Sequence, residues 1–115
     1  MALGYQYRIQ GARNFQRVLR EGKAVRGSFF FLRVSSNAQG ALRFGFLVPG
    51  RVIKKAVERN RIKRTLSEAV RPFLKRKTTG FDIVIGVVRG FNKDVLEIQA
   101  LLSELFEKSK IFSKT

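Results

Sequence analysis

Ala56-Val57-Glu58-Arg59-Asn60-Arg61-Ile62-Lys63-Arg64 is the stretch around which the rest of the chain is arranged. Five of its nine residues are charged and four of those are cations. At 100° per residue it continues into Thr65 to Leu74 as an amphipathic helix. Ile62, Leu66, Ala69, Val70 and Phe73 fall on one side. Asn60, Lys63, Arg64, Ser67 and Arg71 fall on the other, with Arg59 and Arg61 on the flanks. The apolar side needs a sheet or another helix to cover it. The cationic side suits a polyanion.

Composition bounds what surrounds this helix. The chain has 115 residues, enough for one domain (1–115), and is 44% hydrophobic with eleven phenylalanines, enough for a small core. Lys and Arg number 24 against eight Asp and Glu, a formal charge of +16. Self-repulsion at that charge opposes the compact state, so an anionic partner is expected, nucleic acid first and an anionic membrane second. No apolar run approaches the ~20 residues of a transmembrane helix. The first residues lack the apolar core of a secretion signal, and the absence of cysteine fits a reducing compartment, so a cytoplasmic location is expected. With no His and no Cys there is no Ser-His or Cys-His nucleophile and no usual zinc site. The scattered carboxylates offer no local metal cluster. No catalytic residue and no metal ligand is expected on the polypeptide.

Working outward, residues 1–11 read as an extended lead-in. Asn14 reads as the N-cap of a helix over 15–21, closed by Gly22. Phe15 and Leu19 on that helix read first as ordinary core. Phe29-Phe30-Phe31-Leu32-Arg33-Val34 is a strand signal, with Phe29, Phe31 and Arg33 on one face and Phe30, Leu32 and Val34 on the other. A second strand over 42–48 follows a polar turn and is expected to form an antiparallel hairpin with the first. Pro72 argues for a kink or a stop near Val70 in a helix whose pattern reaches Leu74. Phe81 to Val88 is a continuous apolar strand, central by composition. Asn92 is expected to cap a last helix with the stripe Val95, Ile98, Leu102, Leu105 and Phe106. The order is α-β-β-α-β-α, with a third strand if 42–53 splits at Pro49: an α+β sandwich with helices against one small sheet.

For the basic helix, a solvated charged face is the bland reading, but such faces normally balance their signs. Here Glu58 and Glu68 are outnumbered by Arg59, Arg61, Lys63, Arg64 and Arg71. Guanidinium groups bind phosphate oxygens in pairs and stay charged at physiological pH. Phenylalanines on a sheet face can stack unpaired bases, although at least one face of the 29–34 strand must be core. The glycines, Gly45 and Gly86 among them, read as punctuation and make no phosphate-cradling loop.

Lys55 to Arg64 resembles the signature of the protein component of bacterial ribonuclease P. The resemblance extends to Phe15–Gly22 as the first helix, Phe30-Phe31-Leu32 as the first strand, Phe44–Val48 as the second and Gly80–Val84 as the fourth. It implies an αβββαβα single domain of the type of the second domain of ribosomal protein S5, with a small four-stranded sheet and a left-handed β-α-β crossover. It also implies an accessory subunit of a ribonucleoprotein endoribonuclease that removes 5′ leaders from precursor tRNA. Hydrolysis would be done by the RNA subunit, with Mg2+ held mainly by that RNA. Carried over by position, Arg51, Lys54, Lys55, Arg59, Asn60, Arg61, Lys63, Arg64 and Arg71 would bind the RNA subunit. Phe15, Leu19, Phe31 and Arg33 would line a cleft for the leader. The partners implied are ribonuclease P RNA, one protein per RNA, and precursor tRNA, with neither membrane nor DNA.

The chain departs from the family pattern at three places. Pro49-Gly50-Arg51-Val52-Ile53-Lys54-Lys55 is one residue longer than the usual run and its glycine is moved. Ser67 stands where many relatives have an arginine, which would remove one phosphate contact. Arg33 takes a cleft position where an aromatic is common, exchanging stacking for a cation near the leader backbone. A structural RNA-binding protein, such as a ribosomal one, is the main alternative. A DNA-binding module lacks any helix-turn-helix pattern, and a membrane-surface helix conflicts with the need of Ile62 to Phe73 to cover the sheet.

Overall fold

The structure is a computed structural model and describes residues 3–37, 40–76 and 80–112. A short 3-10 turn at Tyr5–Tyr7 leads into α1 (Ala12–Glu21), β1 (Lys23–Arg26), β2 (Phe30–Ser36), β3 (Leu42–Leu47), α2 (Ala56–Val70), β4 (Phe81–Val87) and α3 (Val95–Ser109). This is the αβββαβα order in a single α+β layer arrangement. The strands lie in the order β1-β2-β4-β3. Among the described residues no helix is long and apolar enough to cross a membrane.

Strand β4 explains the order. Six of its seven residues are buried, so it is covered on both faces and takes an interior place with a neighbour at each edge. It pairs antiparallel with β2 and parallel with β3. The expected β2–β3 hairpin therefore does not form, because β4 lies between the two. The connection between them crosses the start of β4, where Asn37 N–H donates to Gly80 O and Phe81 N–H to Ala41 O. The β3–α2–β4 unit is the crossover that a parallel pair requires.

The additional strand is β1, and it does not come from a split at Pro49. It pairs antiparallel with β2, Lys23 opposite Val34 and Arg26 opposite Phe31. The strand containing Phe30-Phe31-Leu32 is thus the second and that of Phe44 the third. Only Val25 of β1 is even half-buried, so the strand carries no apolar signature. Charge along such an edge discourages pairing with another chain. At the opposite edge the lead-in covers β3, where Arg8 bridges to Phe44 and Ile9 N–H donates to Phe44 O.

Helices α2 and α3 share one face of the sheet. Ile62, Leu66, Ala69, Val70 and Phe73 are all buried, as are Ile98, Leu102, Leu105 and Phe106 on α3. They meet Phe30, Leu32, Val34, Phe44, Ile83 and Ile85 from the strands. Phe106 is the hinge of this layer, edge-on to Phe73 at 4.9 Å and tilted to Phe44 at 6.2 Å. Pro72 ends the α-helix at Val70, and a 3-10 turn over Arg71–Phe73 carries Phe73 into the core.

Two helix starts differ from expectation. Helix α1 begins at Ala12 after Gly11, whose φ of 83° turns the chain, and Asn14 lies inside the first turn. Its amide donates back to Gln10 O at 2.8 Å. Helix α3 is capped by Asp94, not by the exposed Asn92. Asp94 Oδ1 accepts from Glu97 N–H at 2.9 Å and Glu97 Oε1 accepts from Asp94 N–H at 3.2 Å, a reciprocal capping box. Replacing Asp94 by Ala should cost about 1 kcal/mol of unfolding free energy by urea titration. Asn92→Ala should stay within about 0.5 kcal/mol, and equal losses at both would contradict this boundary.

Candidate nucleic-acid interface

The first surface is the outer side of α2 and the turn before it. From Arg51 to Arg64 there are seven cations, Arg51, Lys54, Lys55, Arg59, Arg61, Lys63 and Arg64, against Glu58 alone. Arg51, Lys54, Lys55, Asn60, Arg61, Lys63 and Arg64 are exposed, and Arg71 is exposed just beyond the helix. The nearby ion pairs are open to solvent: Arg61 Nη2 to Glu58 Oε1 at 3.4 Å and Arg71 Nε to Glu68 Oε2 at 3.3 Å. Such pairs contribute little, so most of the positive field remains. Lys55 occupies the N-cap without a side-chain bond to the helix. Cations there oppose the positive end of the helix dipole and destabilise the free protein. A bound polyanion would relieve both penalties.

Two residues of this stretch play other parts. Arg59 is half-buried, and its Nη1 donates to Ile53 O at 2.9 Å and Lys54 O at 2.8 Å. It pins the 50–55 turn, whose Val52 and Ile53 N–H groups both donate to Pro49 O. The longer segment here is an ordered turn that sets Arg51, Lys54 and Lys55 outward. Ser67 does not lie on the cationic side. It is 6% exposed and its Oγ donates to Lys63 O at 2.9 Å.

The second surface is the other face of the sheet, crossed by α1. The register places Arg26, Phe31, Gly86 and Leu47 in one row across the sheet. Ala24, Arg33, Val84 and Gly45 make the next, and Ser35, Asp82 and Arg43 the third. Helix α1 presses the fully buried Val18 toward this face and leaves Phe15 and Leu19 half-buried. Gly45 and Gly86 are mid-strand seats, not punctuation. A Cβ on Gly45 would come within 2.6 Å of the Phe15 ring, and one on Gly86 would overlap the Phe31 ring. Two glycines thus let two aromatic rings lie against the sheet. Arg33 is half-buried and its Nη1 donates to Gly22 O at 3.2 Å, tying the end of α1 to β2. Phe15, Leu19, Phe31 and Arg33 therefore share one side of the sheet. Phe29 leaves it, meeting Phe91 edge-on at 6.3 Å with Lys93 Nζ 4.8 Å from its ring.

Sequence reasoning missed the polar cluster at the third row. Asp82 has a fully buried side chain that accepts from Arg43 Nε at 2.8 Å, Arg43 Nη2 at 2.7 Å, Arg17 Nη2 at 3.2 Å and Asn37 Nδ2 at 2.8 Å. The hydrogen bonds it donates to Asp82 hold Arg43 still more firmly protonated than a free arginine, against the opposing effect of burial. A lone aspartate inside an apolar strand was the available signal, since a buried charge must find partners.

A small, strongly basic α+β protein with one cationic helix face and one aromatic-floored sheet face is the class these features define. The Ribonuclease P family profile matches residues 3–110, and the chain belongs to that family. It is 40% identical over 81 residues to the ribonuclease P protein component of Chloroflexus aurantiacus, covering 70% of this chain and 59% of that one. With the component from a Synechocystis species it shares 33% identity over 110 residues, 90% of this chain and 89% of the relative. The solved structure of the Staphylococcus aureus RNase P protein superposes with a TM-score of 0.79 at 27% identity, covering 93% of this chain and 98% of that one.

The separate parts of Arg59 and Arg61 can be measured. Arg59→Ala removes two bonds from a charged donor and should lower stability by about 1–2 kcal/mol in urea titration. Arg61→Ala should stay within about 0.5 kcal/mol, because its ion pair is exposed. Equal effects would remove Arg59 from its place as the pin of the turn.

Proposed function

We propose that this chain is the protein subunit of a bacterial-type ribonuclease P, acting in the cytoplasm on the 5′ leaders of precursor tRNA. The observation that carries the reading is the pairing of two unlike surfaces on one small domain. The α2 side offers seven cations over fourteen positions, the density that a folded RNA's phosphates would meet. The α1 side offers a half-buried trough with Phe15, Leu19 and Phe31 beside Arg33, a chemistry that suits an extended single strand. In this reading Arg51, Lys54, Lys55, Asn60, Arg61, Lys63, Arg64 and Arg71 meet the RNA subunit, Arg59 holding the turn that presents three of them. The trough holds the leader.

The polypeptide's share is binding. Guanidinium and ammonium groups position phosphates without reading sequence, so the gain is in affinity and orientation. Phosphodiester hydrolysis would draw its Lewis acid and activated water from Mg2+. The residues here do not fit it: among the described residues no three acidic or other metal-ligating side chains converge, and Asp82 is already enclosed by two arginines. We therefore assign Mg2+ to the RNA subunit, with one protein per RNA.

Reconstitution tests the reading. Added to a bacterial ribonuclease P RNA at low Mg2+, the protein should restore precursor-tRNA cleavage, whereas the protein alone should cleave nothing. RNA binding without stimulation would favour a purely structural RNA-binding protein. Phe31→Ala should weaken binding of leader-bearing substrate by about fivefold or more, the scale of one lost stacking contact, and leave leaderless tRNA unchanged. Equal losses on both would return Phe31 to the core.

A further inference from the structure

Helix α1 has two flanks, and they are held differently. Taking the buried Val18 as the line of contact with the sheet, helical geometry sets Leu19 and Phe15 on one side and Arg17 on the other. The aromatic flank rests on half-buried rings over Gly45 and Gly86. The Arg17 flank is tied by charge, with Arg17 Nη2 3.2 Å from Asp82 Oδ2 and Nη1 3.1 Å from Ser35 Oγ. The same carboxylate takes both Arg43 bonds from β3 and one from Asn37 at the end of β2. One buried atom group on β4 thus joins α1, β3 and the β2–β3 connection.

From this geometry we infer that Asp82 is a positioning residue for the proposed leader trough, setting the placement of α1 through Arg17. The aromatic flank alone does not hold the helix, since Phe15, Leu19 and Phe31 are all partly open. A charge-assisted bond to a carboxylate with 0% side-chain exposure is strong and directional, and Arg17 at 32% exposure makes it from α1, so the bond favours one placement of the helix over the sheet. Asp82 contacts no ligand in this scheme. Its effect is the distance and angle between Phe15 on the helix and Phe31 on β2.

The inference rests on the leader reading, and Arg17 gives a test that separates the two. Asp82→Asn leaves two half-buried arginines short of a counter-charge and is open to misfolding, so Arg17→Gln is the main variant and Arg17→Lys its conservative partner. In reconstituted cleavage, wild type should favour leader-bearing over leaderless substrate. Arg17→Gln should reduce that preference by about fivefold to tenfold, the scale of one charge-assisted hydrogen bond. The loss should appear in KM with kcat held, and Arg17→Lys should regain part of it. Affinity for the RNA subunit should be unchanged, and amide exchange in α1 should quicken. An unchanged leader preference in Arg17→Gln would overturn the inference, as would a parallel loss of RNA-subunit affinity. Failure of the wild-type protein to stimulate cleavage would instead remove the functional reading beneath it.

Discussion

Strand β4 is buried on both faces, and a strand of that kind cannot lie at an edge or leave either face to water. Its burial forces β2 and β3 apart to its two sides and requires cover above and below the sheet. Below, α2 and α3 supply it with two apolar stripes that meet around Phe106. Above, α1 supplies only part, because Phe15, Leu19 and Phe31 stay half-buried on that side, the two rings seated over Gly45 and Gly86. The core side of α2 is thereby fixed against the sheet, and its cations have no choice but to face out. Both candidate surfaces follow from how one strand is buried.

The same constraint explains what could be read from the chain. The faces of α2 and α3 were legible because Ile62, Leu66, Val70 and Ile98, Leu102, Phe106 recur at helical spacing. Strand β4 was legible as an apolar run interrupted only by Asp82. Its pairing was not: neighbouring strands in sequence favour a hairpin, and only the burial demand of β4 places it between β2 and β3. Strand β1 was invisible because Lys23-Ala24-Val25-Arg26 has one half-buried residue and no alternation to read. The caps failed for a local reason, since Asn14 and Asn92 are good capping residues and the chain used Gly11 and Asp94 instead.

The candidate site divides in the same way. The α2 cations were legible as an unbalanced charge on one helix side, whereas the trough residues came from family resemblance and by pattern alone looked like core. Gly45 and Gly86 passed for turn markers because the rings they seat, Phe15 and Phe31, lie far away in sequence. The Asp82 cluster draws Arg17 and Arg43 from 65 and 39 residues away, beyond any local pattern. A buried carboxylate between two guanidiniums is costly to desolvate and is retained only where its bonds are complete. Here they join three parts of the fold on the side where α1 lacks an apolar seal.

The central claim is that the two faces of the domain address two different RNA strands. The chain has no cysteine, so a single one can carry a tethered iron-EDTA cleavage probe without background. Glu58→Cys on α2 and Gln16→Cys on α1 are both exposed positions that leave every proposed contact in place. In the reconstituted complex with precursor tRNA, the α2 probe should cut the RNA subunit and the α1 probe should cut the 5′ leader. Cuts by both probes in the same strand, or leader cuts from the α2 probe alone, would contradict the division.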